Sequence, residues 1–134
     1  MNYNVSNDMG FMEAVQSCFS QYANFNGRAR RKEYWCFFAF NVLVQSILTF
    51  IGGMIFGQDS SYASILTGIY SLVIFIPGLA VAWRRLHDTG RSGFYYLFNL
   101  IPLVGQIILI VFLCQDSMPG ENMYGENPKG IGNY

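Results

Sequence analysis

Charge is scarce in this chain. Asp, Glu, Lys and Arg make up 12% of its 134 residues, roughly half the share of an ordinary soluble domain. Hydrophobic residues make up 52%. That balance excludes a typical water-soluble fold and points to the membrane class. Histidine occurs once, as His87, and the three cysteines, Cys18, Cys36 and Cys114, include no CxxC pair. Neither a disulfide framework nor a zinc site follows from them, and no metal or cofactor is expected. The eight basic and eight acidic residues cancel. No overall field draws the chain to nucleic acid, and no basic-aromatic alternation builds a surface for it.

What is present is grease in long runs. Residues 34–58, 60–83 and 92–115 lack Asp, Glu, Lys and Arg altogether, and each is long enough for a helix to cross a hydrocarbon core of about 30 Å. The pattern predicts an all-α integral membrane fold with transmembrane helices over residues 34–57, 62–86 and 93–114. Aromatics crowd their ends, with Tyr34, Trp35, Phe37 and Phe38 opening the first, Trp83 closing the second, and Phe94, Tyr95 and Tyr96 opening the third. This is the belt expected at the two interfaces. The first run is too long for a signal-peptide core and lies too far into the chain, so no cleaved leader is expected.

An amphipathic helix is predicted over residues 9–25, ahead of the first span. At 100° per residue Phe11, Met12, Val15, Cys18, Phe19, Tyr22 and Phe25 share one arc, while Glu13, Gln16, Ser17, Ser20, Gln21 and Asn24 oppose them. That face suits either the membrane surface or the flank of the bundle. After the last span, residues 116–134 are rich in turn formers and repeat Gly-Glu-Asn. A folded polar tail is predicted, with Met118, Met123 and Tyr124 as apolar anchors.

The few charges are segregated. Arg28, Arg30, Arg31 and Lys32 precede the first span, Arg84, Arg85 and Arg91 follow the second, and Lys129 alone lies elsewhere. By the positive-inside rule the N-terminus and the RRLHDTGRSG loop are cytoplasmic. Three crossings put the tail outside; a re-entrant run instead of a span would bring it back to the cytoplasm.

Within the spans, polar residues recur at helical spacing. Asn41 and Gln45 mark the first, Ser64, Thr67 and Ser71 the second, Asn99 and Gln106 the third. Interhelical hydrogen bonds explain them, with a polar substrate path as the alternative. Pro77 and Pro102 are expected to bend their helices. No charged residue lies at depth, which argues against a proton relay or voltage sensor.

The loop carries the candidate chemistry. Asp88 lies three or four residues from Arg85 and Arg84, so one carboxylate reaches either guanidinium. Ser92 is placed to cap the third helix. Guanidinium forks beside free amides at headgroup level make a phosphate cradle of Arg84, Arg85, Arg91 and Ser92. Arg28 and Arg31 extend it, with Glu33, Asp88 and His87 as structural charge partners. The simpler alternative is that these arginines only snorkel and fix orientation. A catalytic alternative makes His87 a nucleophile or base oriented by Asp88, acting on a lipid phosphate. Adjacent residues on a helix rarely face each other, which weighs against it.

Three stretches carry a resemblance: GRARRKEYW at 27–35, IPGLAVAWRRLHDTGRSG at 76–93 and PGENMYGENPKG at 119–130. With them the chain resembles a family of small bacterial inner-membrane proteins, the YhaH/YhaI-like domain of unknown function 805. The resemblance implies a multi-pass protein of the bacterial cytoplasmic membrane and brings no activity, cofactor or catalytic residue. The expected function is non-enzymatic: a cytoplasmic arginine loop that binds anionic lipid headgroups or an acidic or phosphorylated partner. Membrane lipids and a homo-oligomer or membrane-protein partner are the expected associations. The alternatives are a small oligomeric transporter or channel subunit and the lipid-phosphate enzyme.

Overall fold

The computed structural model describes residues 10–128. The expected helix start at residue 9, Lys129 and the remainder of the tail lie outside them. The described residues are helical, without a strand: α1 Phe11–Ser20, α2 Arg31–Phe56, α3 Ser61–Asp88, a 3-10 helix (η1) Gly93–Leu100, and α4 Val104–Cys114.

Helices α2 and α3 form the long hairpin. At 26 and 28 residues they measure about 39 and 42 Å at 1.5 Å per residue, more than a bilayer core. Each begins on a local signal. Glu33 Oε1 accepts the Arg30 amide at 3.2 Å, and Ser60 Oγ accepts that of Tyr62 at 3.1 Å; both satisfy donors left over at a helix start. The turn between them uses Gly57 at φ +95°. Beside it Gly52 lets the helices close up, since a Cβ there would sit 3.2 Å from that of Ala63. Two interhelical hydrogen bonds follow, Tyr70 to Asn41 and Gln45 to Ser71, each at 2.6 Å.

The proline in α3 is accommodated without ending the helix. Pro77 has no N–H for the carbonyl four residues back, that of Val73. The Tyr22 hydroxyl donates to this carbonyl instead. A residue beyond the end of α1 thereby satisfies a backbone acceptor that lipid cannot serve. Helix α1 buries Ala14, Val15 and Cys18, and Phe19 stacks edge-on against Phe37 of α2 with centroids 5.3 Å apart. Phe11, Met12, Phe19 and Tyr22 stay exposed, so only part of the predicted apolar arc is the packed face.

The third predicted helix is not continuous. Residues 93–114 do not make one helix: the chain reverses at Pro102 and Leu103, where Leu103 takes φ +63°. The 11 residues of α4 extend about 16 Å, half of a hydrocarbon core. Gly105 is seated against the Phe98 carbonyl and Ile101, where any Cβ would collide. The η1–α4 hairpin folds back on the end of α3, where Leu86, Leu109 and Leu113 form a buried cluster flanked by Tyr34, Trp35, Tyr96 and Phe112.

Candidate functional site

The last turn of α3 is where the chain concentrates its charge. Asp88 is fully buried and holds three donors: Arg28 Nε at 2.9 Å on Oδ1, and Arg85 Nη1 at 2.8 Å and the Ser117 hydroxyl on Oδ2. Each guanidinium spends its other donors on backbone carbonyls. Arg28 reaches those of Asp88, Met118, Gly120 and Gly125. Arg85 reaches those of Ala29, Leu113 and Gln115. The Met118 amide returns a bond to the Asp88 carbonyl at 2.8 Å. Three chain segments, 26–30, 84–92 and 113–128, are thus tied around one carboxylate in a clasp. Charge-assisted bonds of this kind are the strong ones, and in a buried place none of them is dispensable.

The tail closes the clasp. Asn122 and Gly125 pair across a tight turn, Asn122 Nδ2 donates to the His87 carbonyl at 2.9 Å, and the Tyr124 ring stacks on His87 at 3.8 Å, 1° from parallel. Of the expected anchors, Tyr124 packs, Met118 is half-exposed, and Met123 is 84% exposed at the turn's tip. His87 Nδ1 lies 3.0 Å from the Gly27 carbonyl; a carbonyl only accepts, so this nitrogen carries a proton. His87 and Asp88 therefore face different partners, which removes the geometry a catalytic pair would need. No metal-binding group of His, Cys, Asp or Glu exists among the described residues.

A second buried charge lies beside the clasp, between α1, α2 and α3. Glu33 accepts the Ser17 hydroxyl at 2.9 Å, and Arg84 Nη1 stands 3.9 Å from the same oxygen. Arg84 is fully buried, and among the described residues no oxygen accepts a hydrogen bond from its three nitrogens; the Glu33 carboxylate and the Cys18 thiol are its polar neighbours. Cys18 sits in the same pocket with its thiol 3.7 Å from the Glu33 carbonyl. Burial, reinforced by the Glu33 carboxylate, pushes that thiol up to about 12.

The expected headgroup cradle is therefore redistributed. Arg84, Arg85 and Arg28 are interior: α3 runs on to Asp88, the tail folds under it, and their guanidiniums are enclosed. Arg91 and Arg31 remain on the rim. Arg91 lies 4.0 Å over the Phe112 ring and donates to Gln115 Oε1 at 2.7 Å. Arg31 keeps 46% of its side chain exposed beside Asp116 at 3.5 Å. Ser92 caps η1 through the Phe94 amide at 3.2 Å. Asn41 and Gln45 join α2 to α3, but Asn99 and Gln106 are exposed, because the break at Pro102 dissolves the shared helical face. The sequence analysis did not single out Ser117, and it placed Ser17 and Tyr22 only on the faces of the amphipathic helix; the proline, which frees a carbonyl, was the one available pointer to the bond of Tyr22.

Two long apolar helices, a folded-back apolar hairpin and a charged cap at one end define a small helical integral membrane protein. Residues 22–126 match the family described as protein of unknown function DUF805. The chain is 47% identical over 118 residues to inner membrane protein YhaH of Escherichia coli K12, covering 88% of this chain and 98% of that protein. It is 44% identical over the same length to YhaI of that strain, covering 88% and 97%. It belongs to the DUF805 family of inner membrane proteins. No solved structure matches it.

Proposed function

We propose that this chain crosses the membrane twice, through α2 and α3, and that its third apolar run is re-entrant, entering and leaving on the side of the clasp. The support is the contact itself: the tail from Ser117 to Gly125 bonds to Arg28 and Asp88, so the segment before α2, the loop after α3 and the tail share one end of the bundle. The positive-inside rule assigns that end to the cytoplasm, because the turn at Gln58 to Ser60 carries only Asp59.

On that end the chain acts as a non-enzymatic anionic-lipid platform. The observation that carries this is the sorting of the arginines. Those that build the cap are buried; Arg31 and Arg91 stay at the rim, next to Trp35, Tyr95 and Phe112, at the level where aromatic side chains meet headgroups. A phosphate approaching there finds guanidinium donors and little to desolvate. The test is native mass spectrometry of the protein released from nanodiscs containing phosphatidylglycerol and phosphatidylethanolamine. The wild type should retain phosphatidylglycerol preferentially. The double variant Arg31→Ala, Arg91→Ala should lose that preference while keeping its thermal stability within a few degrees, and an unchanged lipid profile would sink the proposal.

A further inference from the structure

Among the described residues only α2 and α3 are long enough to cross a bilayer; the remaining apolar elements stop part-way. Helix α4, at 11 residues, comes back to the clasp, where Arg85 Nε donates to the Leu113 carbonyl at 3.1 Å. Ahead of the reversal at Leu103, η1 sends Tyr96 down to line a cavity with Tyr34, Phe37 and Phe38. On the other flank the chain makes a second descent. Phe19 packs edge-on against Phe37 and Phe40, and the Tyr22 hydroxyl donates to the Val73 carbonyl. The chain then climbs back, with Phe25 meeting Trp83 at 5.7 Å and the Gly27 carbonyl meeting His87. Val73 lies ten residues beyond Trp83 along α3, or about 15 Å. That is half of a hydrocarbon core.

Both descents therefore end in the half of the membrane nearest the clasp. In the far half α2 and α3 have no further element packed on them. All nine buried residues of α3 lie between Pro77 and Asp88. At that end of α2 only Gly52 and Gly53 are buried, and the hairpin's own Ala63 and Gln58 cover them. Phe50, Met54, Ile55, Tyr62, Ile65 and Ile69 each stay more than half exposed. A helix with its side chains is about 10 Å across, so the descending chain on the two flanks widens the near half by on the order of 200 Å². That roughly doubles the area of the α2–α3 pair. The body is a wedge, with the clasp at its broad end.

We infer that this wedge selects curved membrane: the partner it fits is a lipid surface whose clasp-side leaflet is convex. In a flat bilayer the two leaflets have equal area, so lipids around the broad end are crowded relative to those around the narrow end. Bending the bilayer toward the clasp gives that leaflet the extra area and relieves the crowding, the same physics that makes helices inserted in one leaflet sensitive to curvature. With the clasp in the cytoplasm, such a surface forms where the inner membrane folds inward. The inference rests on the two-span reading above and is independent of the headgroup proposal, since neither Arg31 nor Arg91 contributes to the shape.

Tubes about 30 nm across, pulled outward from giant phosphatidylcholine liposomes holding the protein, supply the test, because their outer leaflet is convex. Met123→Cys, in a background with Cys18, Cys36 and Cys114 changed to alanine, is labelled from outside with an impermeant fluorophore and reports molecules whose clasp faces out. Asp59→Cys, labelled likewise, reports molecules inserted the other way. The first should be enriched in the tube at least about twofold over the parent liposome and the second depleted. Even distribution of both labels, or the same direction of sorting for both, would overturn the inference. The unaltered chain, labelled from outside at exposed Cys114 at the end of α4, repeats the measurement without any core substitution. It should be enriched as Met123→Cys is, and an even distribution would again overturn the wedge. Labelling of both Asp59→Cys and Met123→Cys in intact spheroplasts would instead bring down the two-span reading, and the wedge with it.

Discussion

Replacing Asp88 by asparagine keeps the shape of the side chain and removes its charge. Of the two buried guanidiniums, Arg28 at 2.9 Å from Oδ1 and Arg85 at 2.8 Å from Oδ2, one would keep a neutral oxygen. The other would meet the new NH₂, a donor facing a donor. Breaking a buried ion pair from one side costs about 3 to 5 kcal/mol, because the surviving charge stays desolvated. The loss falls on the clasp at the end of α3 rather than on the α2–α3 contacts near Gln45 and Ser71, which share none of these bonds. Hydrogen exchange of the protein in detergent is the assay. At 1.4 kcal/mol per factor of ten, a cost of about 3 kcal/mol speeds exchange of the Met118, Asn122 and Gly125 amides about a hundredfold. The α2 and α3 amides near Gln45 and Ser71 should hardly change. Asp116→Asn is the control: its pair with Arg31 is exposed, where such pairs contribute about 1 kcal/mol or less. Equal exchange in Asp88→Asn and the parent would refute the clasp as the element that holds the tail.

Arg84→Met should destabilise by about 3 kcal/mol, because it strips the buried Glu33 carboxylate of the cation 3.9 Å away, and Arg84→Met combined with Glu33→Gln should recover most of that loss; an unchanged melting temperature in detergent for Arg84→Met alone would contradict this. Tyr22→Phe should destabilise by about 1 to 2 kcal/mol by orphaning the Val73 carbonyl. The same change in a Pro77→Ala background should cost much less, since residue 77 then supplies the missing N–H, and equal costs in the two backgrounds would break the argument. The thiol of Cys18, raised to about 12, is protonated at pH 8, so maleimide should modify exposed Cys114 at least tenfold faster in the folded protein; matching rates would show that Cys18 is not enclosed.

The sequence made the α2–α3 hairpin legible, because uncharged length bounded by aromatics and arginines has one physical solution in a bilayer. Its interhelical bonds were legible at Asn41 and Gln45, where an amide in hydrocarbon must find a partner. The third run misled. Its length and apolarity are those of a span, and the backbone reversal at Leu103, with Gly105 packed under the Phe98 carbonyl, comes from tertiary contact that hydropathy does not register. The arginine cluster misled in another way. Adjacent charges at a helix end read as surface, and only the folded tail, by supplying Ser117 and the carbonyls of Met118, Gly120 and Gly125, makes Arg28 and Arg85 interior. The pairing of Asp88 with Arg85 was accessible from spacing alone; the convergence of Arg28, 60 residues earlier in the chain, on the same carboxylate comes from tertiary folding that local spacing does not register.

The side of the membrane that holds the tail decides whether the clasp exists in the cell. Met123, 84% exposed at the tip of the tail turn, and Asp59, exposed in the turn between α2 and α3, are each replaced by cysteine in the cysteine-free background. Intact spheroplasts are then treated with a membrane-impermeant maleimide. Asp59→Cys should label in intact spheroplasts and Met123→Cys only after they are broken, placing the tail with the arginine loop in the cytoplasm. Labelling of both positions in intact spheroplasts would put the tail outside after three crossings and separate Ser117 from Asp88 by a bilayer, contradicting the clasp.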